Sequence, residues 1–119
     1  MLLPKTLFLT CVLSAAGLAA LGQTITTAEA AHHVSEKQTV CGEIAGEHTA
    51  ESSKGTPTFI NLDKPYPHQV FTLLIWGQDK ENVGHLPTTG RVCATGTITE
   101  YKGSPEIVLR DSHSWYVAK

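Results

Sequence analysis

A basic excess is missing from this sequence: nine Lys and Arg stand against eleven Asp and Glu, for a net charge of −2 with His neutral. Proteins that grip nucleic acid chiefly through its phosphates need many Lys and Arg to neutralise them. Tight, salt-driven binding of that kind is therefore disfavoured, although a local cationic patch remains open. Cysteine is scarce, at three residues, and neither Cys nor His falls in the C-x₂-C or H-x₃-H spacing of a zinc site. His48, His68, His85 and His113 are scattered through polar stretches and are expected at the surface. The sequence gives no reason to expect a cofactor, or a metal held by the folded domain. The most apolar stretch, Leu7 to Gly22, runs for roughly 16 residues, short of the ~20 that a membrane-spanning helix needs. There is no internal repeat, no linker and no sustained helical period, so a single all-β domain is expected.

What is present begins with a secretory leader. Lys5 supplies a positive start, LFLTCVLSAAGLAALG an apolar run, and Ala28-Glu29-Ala30 a small-x-small cleavage signal. Residues 1–30 are thus expected to be a signal peptide, with an uncleaved anchor as the alternative. Cys11 lies within the apolar run behind Phe8-Leu9-Thr10, a poor context for lipid attachment, and is expected to be discarded. The mature chain would then be periplasmic or secreted, with no stable membrane insertion once the leader is gone. Cys41 and Cys93 remain. In an oxidising compartment an even number of cysteines suggests a disulfide; two small buried thiols are the alternative.

Residues 31–37 are polar and expected to form a flexible arm, leaving 38–119 for the folded domain. Gln38 to Glu47 alternates, with Val40 and Ile44 facing one way and Cys41 and Glu43 the other, as a half-buried strand does. Gly42 and Gly46 suggest bends or bulges there. Thr58 to Leu62 is a second strand. Pro65 and Pro67 stiffen the loop that follows. Gln69 to Trp76 is apolar on both sides and reads as the most buried strand. A helical turn near Asp79 to Val83 is stopped by Gly84 and Pro87. Arg91 to Tyr101 and Pro105 to Arg110 complete five strands, and Trp115 or Tyr116 is expected to fold back over one end. Five strands with a longer connection between the third and fourth predict a small Greek-key barrel of OB type; an immunoglobulin-like sandwich wants about seven. In that barrel the first strand lies beside the fourth. Cys41 and Cys93 then point the same way, within reach of each other.

Three blocks carry a resemblance. They are Val40-Cys41-Gly42; Pro57 to Gly77, reading P-T-F-x-N-L-x-K-P-Y-P and then F-T-x-x-I-W-G; and Val92 to Ile107, reading V-C-x-T-G-x-I and then Y-x-G-x-P-x-I. Together they resemble a family of small exported bacterial OB-fold proteins, across nearly all of the mature chain. Similar modules are attached to some secreted nucleases. The resemblance implies a barrel and nucleic-acid binding. The catalytic Arg, Asp and Glu of staphylococcal-type nucleases have no matching set here, so a non-enzymatic module is expected.

Barrels of this type bind oligomers on the face of their second and third strands, holding single strands by stacking and by cations. The candidate stacking residues are Phe59, Tyr66, Trp76 and Tyr101. Lys64, Arg91, Lys102 and Arg110 are candidates for phosphates, and Asn61 for a base edge. Phe59 and Phe71 have core roles as the alternative, and Trp76 a barrel-capping one. The expected partner is single-stranded nucleic acid or an oligonucleotide; the alternative is another exported protein. A further alternative arises if cleavage follows Ala30: the new terminus Ala31-His32-His33 would offer an amine, two amides and an imidazole to Cu(II), against the simpler reading of a solvated tail. The Asp111 to Ser114 run and the Glu residues on separate strands make no catalytic arrangement.

Overall fold

Side-chain parity decides which face each strand buries. In the computed structural model, which describes residues 24–119, five strands close a ring: β2 (Lys37–Thr49), β3 (Thr58–Leu62), β4 (Phe71–Ile75), β5 (Arg91–Tyr101) and β6 (Ser104–Val108). β2 pairs antiparallel with β3, β3 with β4 and β5 with β6. β4 and β6 run parallel, and β2 returns to pair with β5. This is the expected OB-type barrel. Two three-residue strands, β1 (Thr24–Thr26) and β7 (Trp115–Val117), extend the sheet beside β2 and β5. They bring the strand count to seven without making a sandwich, because the β2–β5 seam closes the ring.

The inward parity is apolar throughout. Val40, Ile60, Leu62, Phe71, Leu73, Val92, Ala94, Ile98, Ile107 and Leu109 form one core, and each such burial contributes about 1.5–3 kcal/mol for the larger side chains. β2 serves two neighbours, its first half facing β5 and its second half β3. The register slips between Ile44 and Gly46, so the strand bends at a bulge. Helix α1 (Lys80–Val83) crosses from β4 towards β5 and puts Val83 into the core; Gly84, at φ 84°, ends it. Trp115 packs on the core and its indole N–H donates to the Val83 carbonyl at 2.9 Å. The cysteines sit opposite each other across the seam and are joined as Cys41–Cys93.

The N-terminal segment departs from expectation. Residues 31–37 are not a loose arm. The amide of Ser35 donates to Ile98 at 2.8 Å, that of Ile98 donates to Glu36 at 3.0 Å, and Val34 packs on the core. Nor does the fold begin at residue 38: β1 pairs in parallel with β2, and Ala30 is fully buried. Apolar contacts and backbone pairing hold what the polar composition suggested would be free. The remainder of the expected leader, including Cys11, lies outside the described residues.

Candidate functional site

The outward parity of β3, β4 and β6 makes a second surface. Register places Phe59 beside Leu74 and Leu74 beside Val108, with His48 of β2 next to Phe59. A parallel row runs from Gly46 through Asn61, Thr72 and Glu106 to Thr99. The first row is apolar at its centre: Phe59 and Val108 are half-buried and Leu74 is buried. The second is polar, and the Thr72 hydroxyl donates to Asn61 Oδ1 at 3.3 Å. A Cβ on Gly46 would meet nothing within 4 Å, so the row ends in open space.

At one end of this face, the same parity carries on to Trp76 and Arg110. With Lys54, Gly55 and Gln78 they line a concavity of about 560 Å³. Gly55 is required there for two reasons. Its φ is +80°, and a Cβ would lie 2.9 Å from Trp76 Cε3. The backbone of the loop between β2 and β3 therefore lies against the indole ring, held by the Gly77 amide donating to the Gly55 carbonyl at 2.9 Å. Lys54 and Arg110 line the same concavity as that ring. Asp79 stands 4.0 Å from the Arg110 guanidinium, too far for a hydrogen bond but near enough to reduce the net positive charge.

At the other end, Tyr101 pairs with Ser104 in the β5–β6 hairpin. It is exposed, and the Lys102 ammonium sits 5.3 Å from its ring centroid, within cation–π range. The Asp63–Val70 loop enters β4 at this same end, so Tyr66, 74% exposed, and Lys64 belong here rather than beside Trp76. Arg91 opens β5, ten residues before Tyr101, which is roughly 33 Å along an extended strand; it pairs with Glu43 on the other side of the barrel. Of the expected residues, the fold thus brings Phe59, Trp76, Tyr101 and Lys102 to one face, whereas Asn61 shares their parity but is buried and accepts from Thr72, so it is not placed to read a base edge. The fold puts Lys64 and Tyr66 at the rim and separates Arg91.

Lys54, Thr72, Leu74, Glu106 and Val108 share the face without having been read as part of it. Parity in β4 would have signalled Thr72 and Leu74, but the strand is apolar on both sides and buried throughout. Lys54 is a loop residue whose position is set by a contact, not by a pattern.

Glu106 is the one group on the face with a shifted titration: burial raises its carboxyl pKa. The fold therefore favours the protonated form. Stability is highest below the ordinary carboxylate value of about 4.3, and is lost as pH rises from there through the raised value. Glu106→Gln is expected to match the parent at pH 4 and to melt higher at pH 7. Thermal unfolding at the two pH values checks this; a difference that does not grow with pH would overturn it.

His32 and His33 do not sit on a free tail. Their amides donate to the Glu29 and Ala30 carbonyls, each at 3.0 Å, so the copper site described above would form only if cleavage removed the residues that hold this turn. Among the described residues, no three His, Cys, Asp or Glu cluster as metal ligands, and no helix is long and apolar enough to cross a membrane.

No family model and no curated protein matches the chain. Solved structures do match in shape. A chain described as an aspartyl-tRNA synthetase from Leishmania major Friedlin aligns with a TM-score of 0.55 at 11% identity, over 82% of this chain and 21% of that one. An OBody bound to hen egg-white lysozyme aligns with a TM-score of 0.53 at 12% identity, over 82% of this chain and 94% of that one. At such identities the likeness concerns the path of the backbone alone, and this chain spans about a fifth of the synthetase chain.

Proposed function

We propose that this protein is a non-enzymatic binding module, working outside the cytoplasm, that takes single-stranded nucleic acid or an oligonucleotide across the outer face of β3, β4 and β6. The observation that carries this reading is the arrangement of Phe59, Trp76 and Tyr101 on one face with Lys54, Arg110 and Lys102 at its two ends. Aromatic rings spaced along a track suit stacked bases, and cations at the ends suit phosphates. The OB-type neighbours support the shape of the module only. The Cys41–Cys93 bond supports an oxidising compartment, and the sequence resemblance to exported OB-fold proteins supports the same setting.

Fluorescence titration with short oligonucleotides at low salt tests the proposal. Trp115 has its indole tied to Val83, so quenching should come from Trp76. Trp76→Ala, followed with a fluorescently labelled oligonucleotide because the variant lacks the reporting indole, is expected to weaken binding by about 1–3 kcal/mol, the worth of one stacked base. Arg110→Gln is expected to flatten the salt dependence by about one phosphate contact. Absence of any binding at millimolar oligonucleotide would sink the reading.

One observation favours a protein partner instead. The centre of the face is apolar and carries Glu106, a group that would repel a phosphodiester once ionised. Under that reading an exported protein docks on Phe59 and Val108, which flank the buried Leu74, and Lys54→Gln with Arg110→Gln leaves its binding unchanged.

A further inference from the structure

We propose that the chain is processed between Gly22 and Gln23, so that the mature protein keeps residues 24–30 as part of its barrel. The inference rests on the leader reading and is independent of the ligand. Two small-x-small signals stand in the right part of the sequence, Ala28-Glu29-Ala30 and Ala20-Leu21-Gly22. The fold distinguishes between them.

Residues 24–30 are bound into the domain at every level. Thr24, Ile25 and Thr26 pair with Thr39, Val40 and Cys41, and Ile25 packs on the core. The turn that follows is closed on itself: the Thr26 amide donates to Glu29 Oε1 at 2.9 Å, and the Glu29 amide donates to Thr26 Oγ1 at 3.2 Å. The Thr26 amide, together with the Thr26 hydroxyl that donates to the same oxygen at 3.1 Å, holds the Glu29 carboxyl below its usual range. Thr27 is buried and its hydroxyl donates to Asp63, whose other carboxylate oxygen accepts the Glu43 amide. Gly42 leaves the space that the Thr27 methyl fills, since a Cβ there would stand 2.8 Å from it. Ala30 is small because it is enclosed in the core.

Cleavage after Ala30 would remove all of this. It would strip one edge of β2, empty the Ala30 site, and take the Thr27 donor from Asp63. Cleavage after Gly22 removes none of it. It also falls at the end of the apolar run, where a signal peptidase acts, whereas the Ala30 signal is set apart from that run by the polar TITTAE stretch. A terminus at Gln23 leaves no free amine at Ala31, so the amine–imidazole copper site cannot form.

Intact-mass and peptide mapping of the full chain, expressed with its own leader in an exporting bacterial host, tests the assignment. A mature terminus at Gln23, open or cyclised to pyroglutamate, is the expected result. A terminus at Ala31, or retention of the leader, overturns it. Two variants isolate the signal from the fold. Ala20→Arg is expected to abolish processing. Ala28→Arg, at an exposed position, is expected to leave the cleavage point unchanged; loss of processing in that variant counts against the proposal. As a folded-state measurement, a chain beginning at Ala31 is expected to melt well below one beginning at Gln23, and equal melting temperatures would remove the structural ground for the assignment.

Discussion

Cys41→Ala combined with Cys93→Ala is expected to lower the stability of the domain by about 4 kcal/mol. The bond closes a loop of 52 residues in the unfolded chain, and the loss of loop-closure entropy on a loop of that size is worth about 4 kcal/mol in the chain-entropy description. For a domain of this length, that corresponds to a fall of roughly 15–30 °C in melting temperature. The position of the bond gives the loss a location. Cys41 and Cys93 face each other on β2 and β5, the pairing that turns a sheet into a ring. Without the cross-link, amides of Gln38 to Cys41 and Cys93 to Thr97 should exchange faster than those of β3 and β4, whose pairing does not depend on the seam. Denaturant unfolding gives the total and hydrogen exchange gives the distribution. A change under about 1 kcal/mol, far short of the chain-entropy value, would mean that the seam holds without its cross-link. The same dependence fits a protein that works where thiols stay oxidised.

The barrel was legible in the sequence because its strands alternate where one face meets the core. β2 and β5 show Val40, Val92, Ala94 and Ile98 at period two, and the two glycines of β2 mark its bend. The N-terminal segment was not legible, for a physical reason. Three residues, Thr24 to Thr26, are too few to show a period, and small residues satisfy both a peptidase and a tight core. Ala30 fits the cleavage rule for the same reason that it fits its buried site. Polar composition likewise suggested that residues 31–37 were loose, whereas they are held by backbone hydrogen bonds to β5, which leave no mark on side-chain pattern.

The candidate site was legible by residue type and not by grouping. Aromatic and basic residues announced themselves, but only register shows that Phe59 and Trp76 share a face with Tyr101, or that Arg91 does not. The loop Asp63–His68, the most distinctive stretch of the sequence, proves to be partly structural. Asp63 accepts from Thr27 and Glu43, while Lys64 to His68 are exposed, Tyr66 at 74%. The concavity beside Trp76 comes from a glycine contact in a loop whose composition says only that it is a loop.

Phe59 and Phe71 make the sharpest separation of core from face, since sequence alone allows a core place for both. Phe71 is fully buried and points inward with Leu62 and Leu73. Phe71→Ala removes the largest side chain of the core and leaves a cavity, at an expected cost of about 3–5 kcal/mol. Phe59 lies on the opposite parity, half-buried between His48 and Leu74. Phe59→Ala creates no enclosed cavity, and its cost is expected to stay within about 1.5 kcal/mol, the lower end of what burying such a side chain contributes. On binding the order reverses. At a temperature where both variants remain folded, Phe59→Ala should weaken the oligonucleotide complex by about 1–3 kcal/mol, and Phe71→Ala should leave its affinity near the parent's. Paired denaturation and titration of the two variants decide the matter. Equal losses of stability would contradict the parity of β3 and β4, and equal affinities would remove Phe59 from the interface while leaving the barrel as described.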